Sequence, residues 1–266
     1  MTDGGTAVEP VILRERRGLV EILTLNRPEA RNAVDQEMTD QMTAALDDLD
    51  EDEDLRVIIL TGAGDRAFCA GLDLKAFGAG TISIGSIGAE VGGFGGFARR
   101  EIKVPVIAAV NGPALAGGFE LMLGCDLVVA ADHAVFGIPE AKRGLLAAGG
   151  GLVRLPKRVP LAIALELALT GDSIGAARAY ELGLVNLVVS ADRVLDEALA
   201  LAGRIIDNAP LSVRYSRQIL TQAAEIPEAE AWQLSDEATA IVFESADAKE
   251  GPLAFAEKRP AQWQGR

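Results

Sequence analysis

The chain has 266 residues, of which 49% are hydrophobic and 24% are charged, so it can bury a substantial core and is not a disordered protein. Its formal net charge of −14 disfavours nucleic acid and anionic membrane surfaces as partners, because like charges repel. Two cysteines that lie far apart in sequence predict neither a disulfide framework nor a zinc site, and we expect no bound metal.

The beginning of the sequence has neither a basic segment nor an apolar stretch, which argues against a signal peptide. The longest apolar run, around residues 104–119, is interrupted by asparagine, proline and glycines, and a membrane span needs ~20 apolar residues. We therefore expect a cytoplasmic protein without a membrane partner.

The first half of the chain alternates between strand-like and helical segments. Strands are predicted at 11–14, 20–25, 56–61, 105–110 and 126–131, and helices at 32–49 and 117–124. This βαβ pattern predicts an α/β fold in which helices cover a sheet.

Helical periodicity dominates after residue 160. Helices are predicted at 160–169, 174–181, 192–207, 211–224 and 228–243, with one further strand at 184–189. Because no low-complexity linker separates the two halves, we predict one domain with a helical C-terminal extension.

Residues 76–97 contain eight glycines and a single charge, Glu90. Such a segment is compatible with a tolerated surface insertion, or with a mobile lid over an apolar ligand. The lid is favoured because its apolar side chains would otherwise face water; these are Ile82, Ile84, Ile87, Val91, Phe94 and Phe97.

Several common catalytic devices are excluded. The one histidine, His133, would have to serve any Ser-His-Asp or Cys-His device, and its position between two strand-like runs favours a surface or turn role. No P-loop motif occurs, and the glycine-rich stretches at 92–96 and 148–151 lack the strand and helix spacing of a dinucleotide fingerprint.

Two carboxylates remain as candidates for acid-base chemistry. Glu120 follows a glycine pair at a predicted helix start, and Glu140 follows a turn after the next strand. Both lie in apolar stretches, where a buried charge is costly, although each is also compatible with an ordinary surface acid. Free amides at the glycine pair and near 69–73 could stabilise an oxyanion, which would suit enolate chemistry.

The sequence resembles the crotonase (enoyl-CoA hydratase/isomerase) family over nearly its whole length, in the order and spacing of the family's blocks. The resemblance is carried by LTLNRPEARNAV (23–34), AFCAGLDLKAF (67–77), AAVNGPALAGGFELMLGCDLVVA (108–130), FGIPEAKRGLLAAGGGLVRLP (136–156) and DAKEGPLAFAEKRPAQW (247–263). Two departures are Ala116 where the family often has a third glycine, and Ala147-Ala148 where hydratases often have Pro-Gly.

The resemblance implies a spiral of ββα units with a helical C-terminal region, assembled as a homotrimer or a dimer of trimers. It implies a crotonase core at 1–195 that binds the CoA ester and performs catalysis, and an extension at 196–266, in the same domain, that serves oligomerisation. The expected ligand is an acyl-CoA thioester; coenzyme A is part of the substrate, and no prosthetic group is expected.

By position, the resemblance assigns the oxyanion-hole donors to the backbone N–H groups of Leu72 and Gly117. It assigns catalysis to Glu120, which would deprotonate the attacking water, and to Glu140, which would protonate Cα, so the two acids should titrate as a coupled pair. The predicted contacts to CoA or substrate are Arg27, Ala30, Arg31, Ala70, Leu72, Asp73, Leu74, Lys75, Phe255 and Lys258, the last two in a neighbouring subunit.

Three functions remain open at this point. The spacing of the two glutamates favours a 2-enoyl-CoA hydratase, acting in either direction. An isomerase or another reaction of the family would need only Glu140. A non-catalytic acyl-CoA-binding protein would keep the fold without turnover.

Overall fold

A computed structural model describes residues 9–82 and 92–266. In this part of the chain, six strands form one sheet in the order β1-β2-β3-β4-β6-β9, and three short strands form a second sheet in the order β5-β7-β8. The strands are β1 (Ile12–Arg17), β2 (Val20–Leu25), β3 (Val57–Gly62), β4 (Val106–Val110), β5 (Ala114–Leu115), β6 (Leu127–Ala131), β7 (Val135–Gly137), β8 (Ile174–Gly175) and β9 (Leu187–Val189).

The helices lie between the strands and then form the C-terminal region. They are α1 (Gln36–Asp50), α2 (Leu74–Gly78), α3 (Gly117–Gly124), α4 (Gly151–Arg158), α5 (Leu161–Thr170), α6 (Ala176–Glu181), α7 (Val194–Ile206), α8 (Pro210–Ala223), α9 (Glu228–Glu244) and α10 (Ala246–Glu257). The expected α/β class with a helical C-terminal region is therefore confirmed.

The larger sheet is mainly parallel. β1 and β2 form an antiparallel hairpin, and every later neighbour pair from β2 to β9 is parallel. The central strands β3 and β4 are buried along their whole length, which explains their continuous apolar sequences. Because parallel strands end at the same edge, the segments that follow β3 and β4 emerge side by side.

Helix α1 shows how the sequence sets an element boundary. The predicted helix at 32–49 begins only at Gln36, because Asn32 adopts a left-handed backbone (φ 53°) and Asp35 is the N-cap. The Asp35 carboxylate accepts a hydrogen bond from the Met38 amide at 2.9 Å. The helix packs one apolar face into the core, burying Met38, Met42, Ala45, Leu46 and Leu49.

Some elements were not predicted, and their sequences explain why. Helices α4 and α10 contain internal prolines, Pro156 and Pro252, and proline within a segment argues against a helix in a prediction from sequence. Strands β5 and β8 have two residues each, too few to show an alternating pattern. The strand predicted at 184–189 is present but begins at Leu187.

The segment predicted to be a lid is only partly described. Ile82, Phe94 and Phe97 are buried in the protein, so these apolar side chains face inward. Ile84, Ile87 and Val91 lie outside the described residues. The lid function itself stays a prediction.

Three exclusions made from the sequence can be compared with the structure. Cys69 and Cys125 are both buried and free, and burial raises the pKa of the Cys69 thiol to about 12. His133 lies at the surface beside Asp132, as expected. Among the helices that the structure describes, none combines the length and the hydropathy required to cross a bilayer.

Candidate active site

The first part of the site is formed by the two loops that leave β3 and β4. A parallel bridge joins Cys69 to Ala114, in which the Leu115 amide donates to the Cys69 carbonyl at 3.0 Å. The two loops therefore run in register beyond the carboxyl edge of the sheet. Two residues after Cys69 and three after Ala114, the loops place Gly71 next to Gly117.

The two predicted amide donors lie in these loops. Leu72 and Val34 form a parallel bridge whose hydrogen bonds involve the residues on either side of Leu72. The Val34 amide donates to the Gly71 carbonyl, and the Asp73 amide donates to the Val34 carbonyl. The alternation of a strand turns the Leu72 N–H to the other side, and no acceptor for it exists within the described residues. Gly117 is the first residue of α3, so its N–H has no partner in the helix ladder.

Gly71 keeps the second donor accessible. Its backbone is left-handed (φ 93°), and a Cβ at this position would lie 2.8 Å from the Gly117 nitrogen and 2.7 Å from the Ala116 Cβ. Any side chain at residue 71 would therefore cover the Gly117 N–H. Glycine at residue 71 therefore leaves space in front of the Gly117 N–H, next to the loop residue Leu72 that carries the other predicted donor.

Strands β5 and β7 position the second part of the site. These strands are parallel, with Leu115 opposite Gly137, and the Ala116 amide donates to the Gly137 carbonyl at 2.9 Å. Glu120 follows β5 in the first turn of α3, and Glu140 follows β7 in a short 3-10 helix. The pairing of the two strands thus brings the two predicted glutamates to the same end of the small sheet.

Glu120 is buried, with only 3% of its surface exposed. Its Oε1 accepts a hydrogen bond from the Gly151 amide at 2.8 Å, and the Gly149 amide also bonds to the carboxylate. Burial raises the pKa of Glu120 to about 7; the charge on Glu140 adds to the rise, whereas the two amide bonds and Arg154 oppose it. The reading of Glu120 as a surface acid is therefore wrong.

Glu140 is half-buried, and its Oε2 is enclosed without a hydrogen-bond partner among the described residues. Burial raises the pKa of this carboxyl too, against the opposing effects of its own backbone amide and of Arg143. Because the charge of Glu140 also raises the pKa of Glu120, the two carboxyls lie close enough to interact, and their coupled titration stays a prediction. An enclosed oxygen with no partner is suited to a group that acts on a ligand.

The raised pKa of Glu120 predicts a pH-dependent stability. Between the usual pKa of 4.5 and the folded value of about 7, the folded state holds a proton that the unfolded state has lost. The stability conferred by that proton is present at acid pH and lost as the pH rises through this window, by about 3 kcal/mol. Urea unfolding at pH 5 and pH 8 should show this extra loss in the wild type and not in Glu120→Gln; equal losses in both proteins would contradict it.

The residues predicted to contact CoA differ in whether they already have partners within the chain. Arg27 forms salt bridges with Asp35 at 3.1 Å and with Asp73 at 3.0 Å, and Asp73 also caps α2. Arg27 and Asp73 thus hold the loop of Leu72 in place and are occupied within the chain. Leu74 and Lys75 are exposed at the start of α2.

The remaining predicted contacts lie in two places. Ala30 and Arg31 belong to a tight turn whose Arg31 carbonyl accepts the Ala70 amide, so these three lie beside the Leu72 loop. Phe255, 87% exposed, and Lys258 lie at the end of α10, which packs against α9. Their predicted role in a neighbouring subunit stays a prediction.

Two features of the site were missed from the sequence. The glycines at 149–151 were considered only as a dinucleotide motif, yet they supply the amides that hold Glu120. A Cβ at Gly149 would lie 2.6 Å from Glu120 Oε2, so a glycine is needed for this close approach of the backbone to Glu120. The run of glycines was the sequence feature that could have indicated it. Phe94 was considered only as part of a lid, and its ring lies against Gly117.

A large cleft lies elsewhere in the described part of the chain. It measures about 980 Å³ and is bordered by the acidic turn at 50–54, by residues that precede β3 and β4, and by the C-terminal residues 264–266. It therefore lies toward the amino ends of the parallel strands, whereas the paired glutamates and free amides follow their carboxyl ends. The paired glutamates and the free amides, and not the size of a cleft, therefore identify the candidate active site.

Comparisons with known proteins show which family the chain belongs to. Residues 15–266 match the family described as enoyl-CoA hydratase/isomerase. The enoyl-CoA hydratase EchA19 of Mycobacterium tuberculosis is 45% identical over 266 residues, covering 97% of each chain. A carnitinyl-CoA dehydratase of Proteus mirabilis is 43% identical over 255 residues, covering 94% of this chain and 97% of its own.

The fold agrees as well. A crystal structure of an enoyl-CoA hydratase from Mycobacterium tuberculosis H37Rv superposes with a TM-score of 0.90 at 48% identity, covering 97% of this chain and all of that one. The fold and the family resemblance predicted from the sequence are thus confirmed. With a family match from residue 15 to the end and relatives above 40% identity over nearly the full length, the chain belongs to the enoyl-CoA hydratase/isomerase (crotonase) family.

Proposed function

We propose that the protein is a hydro-lyase that adds water reversibly to the double bond of a 2-enoyl-CoA thioester. The observation that carries the proposal is the pair formed by the buried Glu120 and the half-buried Glu140, two acids with raised pKa values on paired segments of the chain. The Gly117 amide lies on one of these segments and the Leu72 amide on the neighbouring loop, and neither has an acceptor among the described residues. This combination fits a reaction in which protons move while negative charge builds on a carbonyl oxygen.

In the forward reaction, Glu120 accepts a proton from a water molecule as its oxygen forms a bond to Cβ. The electrons of the double bond move to give an enolate, whose oxygen accepts hydrogen bonds from the Leu72 and Gly117 amides. Glu140 then gives its proton to Cα. One proton has left the pair and one has entered it, so its total charge is unchanged. A proton then moves from Glu120 to Glu140 and restores the starting arrangement.

This scheme requires that the pair hold one proton. The hydrogen bonds of the two carboxyls favour the required arrangement, because amides of Gly149 and Gly151 stabilise a charged Glu120, whereas the Glu140 Oε2 has no described donor. The reverse reaction uses the same single-proton state with the roles exchanged. Activity should therefore fall both when the pair loses its last proton and when it gains a second.

The two alternatives account for fewer features of the site. An isomerase needs one acid to move a proton, which leaves the burial of Glu120 and its two amide donors without a purpose. A protein that only binds acyl-CoA needs neither acid, and the burial of these carboxyls would lower its stability without strengthening acyl-CoA binding. The pair thus supports hydration over both.

The names of the relatives point to two acyl groups, an unspecified enoyl group and carnitinyl. Both reactions are additions or eliminations of water, so both suit the pair of glutamates. Carnitinyl-CoA is therefore the second substrate to be tested.

The direct assay follows the loss of enoyl absorbance when purified protein is mixed with crotonyl-CoA. We expect hydration with a bell-shaped dependence of kcat on pH, which reports the two macroscopic pKa values of the pair. Longer and branched enoyl-CoAs and the dehydration of carnitinyl-CoA complete the series. Tight binding of CoA esters without turnover of any of them would contradict the proposal and favour the binding protein.

A further inference from the structure

Phe94 lies in a short turn, residues 92–99, that packs against helix α3. The side chain is 4% exposed, so its ring is enclosed by the protein. The turn is part of the described chain and follows the segment 83–91, which the structure does not describe.

The ring contacts the amino end of α3, where the predicted chemistry takes place. A Cβ built on Gly117 would lie 2.3 Å from both Cε1 and Cζ of Phe94, so the ring lies directly on the Gly117 backbone. A Cβ on Gly149 would lie 2.9 Å from the Phe94 Cβ and 2.6 Å from Glu120 Oε2. Phe94 therefore lies between the residue that would bind the carbonyl oxygen and the residue that holds Glu120.

These contacts define which part of a substrate would meet the ring. In the proposed reaction, the Gly117 amide binds the oxygen on C1, and Glu120 acts on the water that adds to C3. Because the ring lies on Gly117 and the Phe94 Cβ lies beside Gly149, the side chain runs beside C1 to C3. It limits the width of the acyl site at these carbons and not its length.

We propose that Phe94 is a specificity-determining residue that disfavours acyl groups with a methyl branch on the reacting carbons. The inference rests on the proposed function, because it uses the assignment of Gly117 and Glu120 to the thioester. Replacing the ring by a smaller side chain would open space for a methyl branch.

The turn is held so that the ring cannot easily move aside. The Arg154 guanidinium donates to the Ala98 carbonyl, and the Arg99 amide donates to the Gly92 carbonyl at 2.7 Å. Within the turn, Gly96 lies so close to Thr43 of α1 that a Cβ would be 2.3 Å from the hydroxyl oxygen. The ring is thus fixed both by its own packing and by the backbone that carries it.

Phe97 provides a matched control from the same turn. It is 2% exposed, and its ring lies at the other end of α3, where a Cβ on Gly124 would be 3.0 Å from Phe97 Cε1. Seven residues of helix separate Gly117 from Gly124, which is roughly 10 Å. Removing Phe97 costs similar packing without opening the space beside Gly117.

The test measures binding of saturated thioesters, which cannot be hydrated, by titration calorimetry. Butyryl-CoA and 3-methylbutyryl-CoA are compared on the wild type, Phe94→Ala and Phe97→Ala. In Phe94→Ala, the preference for butyryl-CoA should fall by at least about tenfold, the discrimination that one methyl group provides in a tight pocket. Phe97→Ala should keep the wild-type preference.

An unchanged preference in Phe94→Ala, or an equal change in both variants, would overturn the inference. If Phe94→Ala does not fold by circular dichroism, Phe94→Leu, which removes the ring and keeps an apolar side chain, is measured and judged in the same way. Binding of both thioesters without hydration of crotonyl-CoA would contradict only the proposed function. Failure of the wild type to bind either thioester would contradict the proposed function and the inference together.

Discussion

Replacing Glu120 by Gln is expected to lower kcat for hydration of crotonyl-CoA by about 10²- to 10⁴-fold, the range for loss of a general base. Glutamine can still accept the hydrogen bond from the Gly151 amide, but it cannot take a proton from water. Because the Glu120 side chain would act on water and not on the CoA moiety, binding of butyryl-CoA should change little. Steady-state kinetics and calorimetry on the same preparation separate the two effects.

The matched control is Glu21→Gln. Glu21 is also buried, with 4% of its surface exposed, but it lies on β2 and forms a salt bridge with Arg14 at 2.8 Å. Loss of this salt bridge should lower the free energy of unfolding and leave kcat near that of the wild type. A Glu120→Gln variant with kcat within about fivefold of the wild type would remove Glu120 from the mechanism.

Replacing Gly71 by Ala is expected to lower kcat by about 10²- to 10³-fold, the effect of losing one oxyanion-hole donor. The added Cβ would lie 2.8 Å from the Gly117 nitrogen, so the methyl group would occupy the position from which a thioester oxygen accepts the Gly117 N–H. Alanine also disfavours the left-handed backbone at this residue, which adds a stability loss of about 1 kcal/mol. Kinetics at saturating crotonyl-CoA, with thermal unfolding in parallel, measures both.

Gly18→Ala separates the effect on the backbone from the effect on the site. Gly18 is left-handed too (φ 60°), and a Cβ there would meet no atom within 4 Å. This control should show the stability loss and keep its activity. Similar kcat values for the two alanine variants would show that the Gly117 amide has no part in the rate.

The sequence predicted those parts of the protein that depend on local pattern. Helix α3 was predicted with its observed bounds, because a glycine pair precedes a continuous apolar segment. Glu120 and Glu140 were identified because charged residues are unusual in such apolar surroundings. Their individual roles came from the family resemblance, since residue spacing alone left both as possible surface acids.

The features that the sequence did not predict depend on contacts between distant segments. The amides of Gly149 and Gly151 hold Glu120 from about 30 residues away in the sequence. Because every residue except proline has a backbone amide, the residue type does not reveal such a contact. Likewise, the salt bridge of Arg27 with Asp73 spans 46 residues and was not predicted, and the contact of Arg27 with the CoA ester stays a prediction. Such pairings become visible only after the strands have brought the loops together.

The central claim is that one thioester is held between two amides and two acids. The most direct measurement is a crystal structure with bound 3-hydroxybutyryl-CoA, the hydration product of crotonyl-CoA. We expect its thioester oxygen about 2.7–3.1 Å from the nitrogens of Leu72 and Gly117, and its hydroxyl within hydrogen-bonding distance of Glu120. Glu140 should face Cα. A thioester bound away from these amides, or a hydroxyl out of reach of Glu120, would contradict the account.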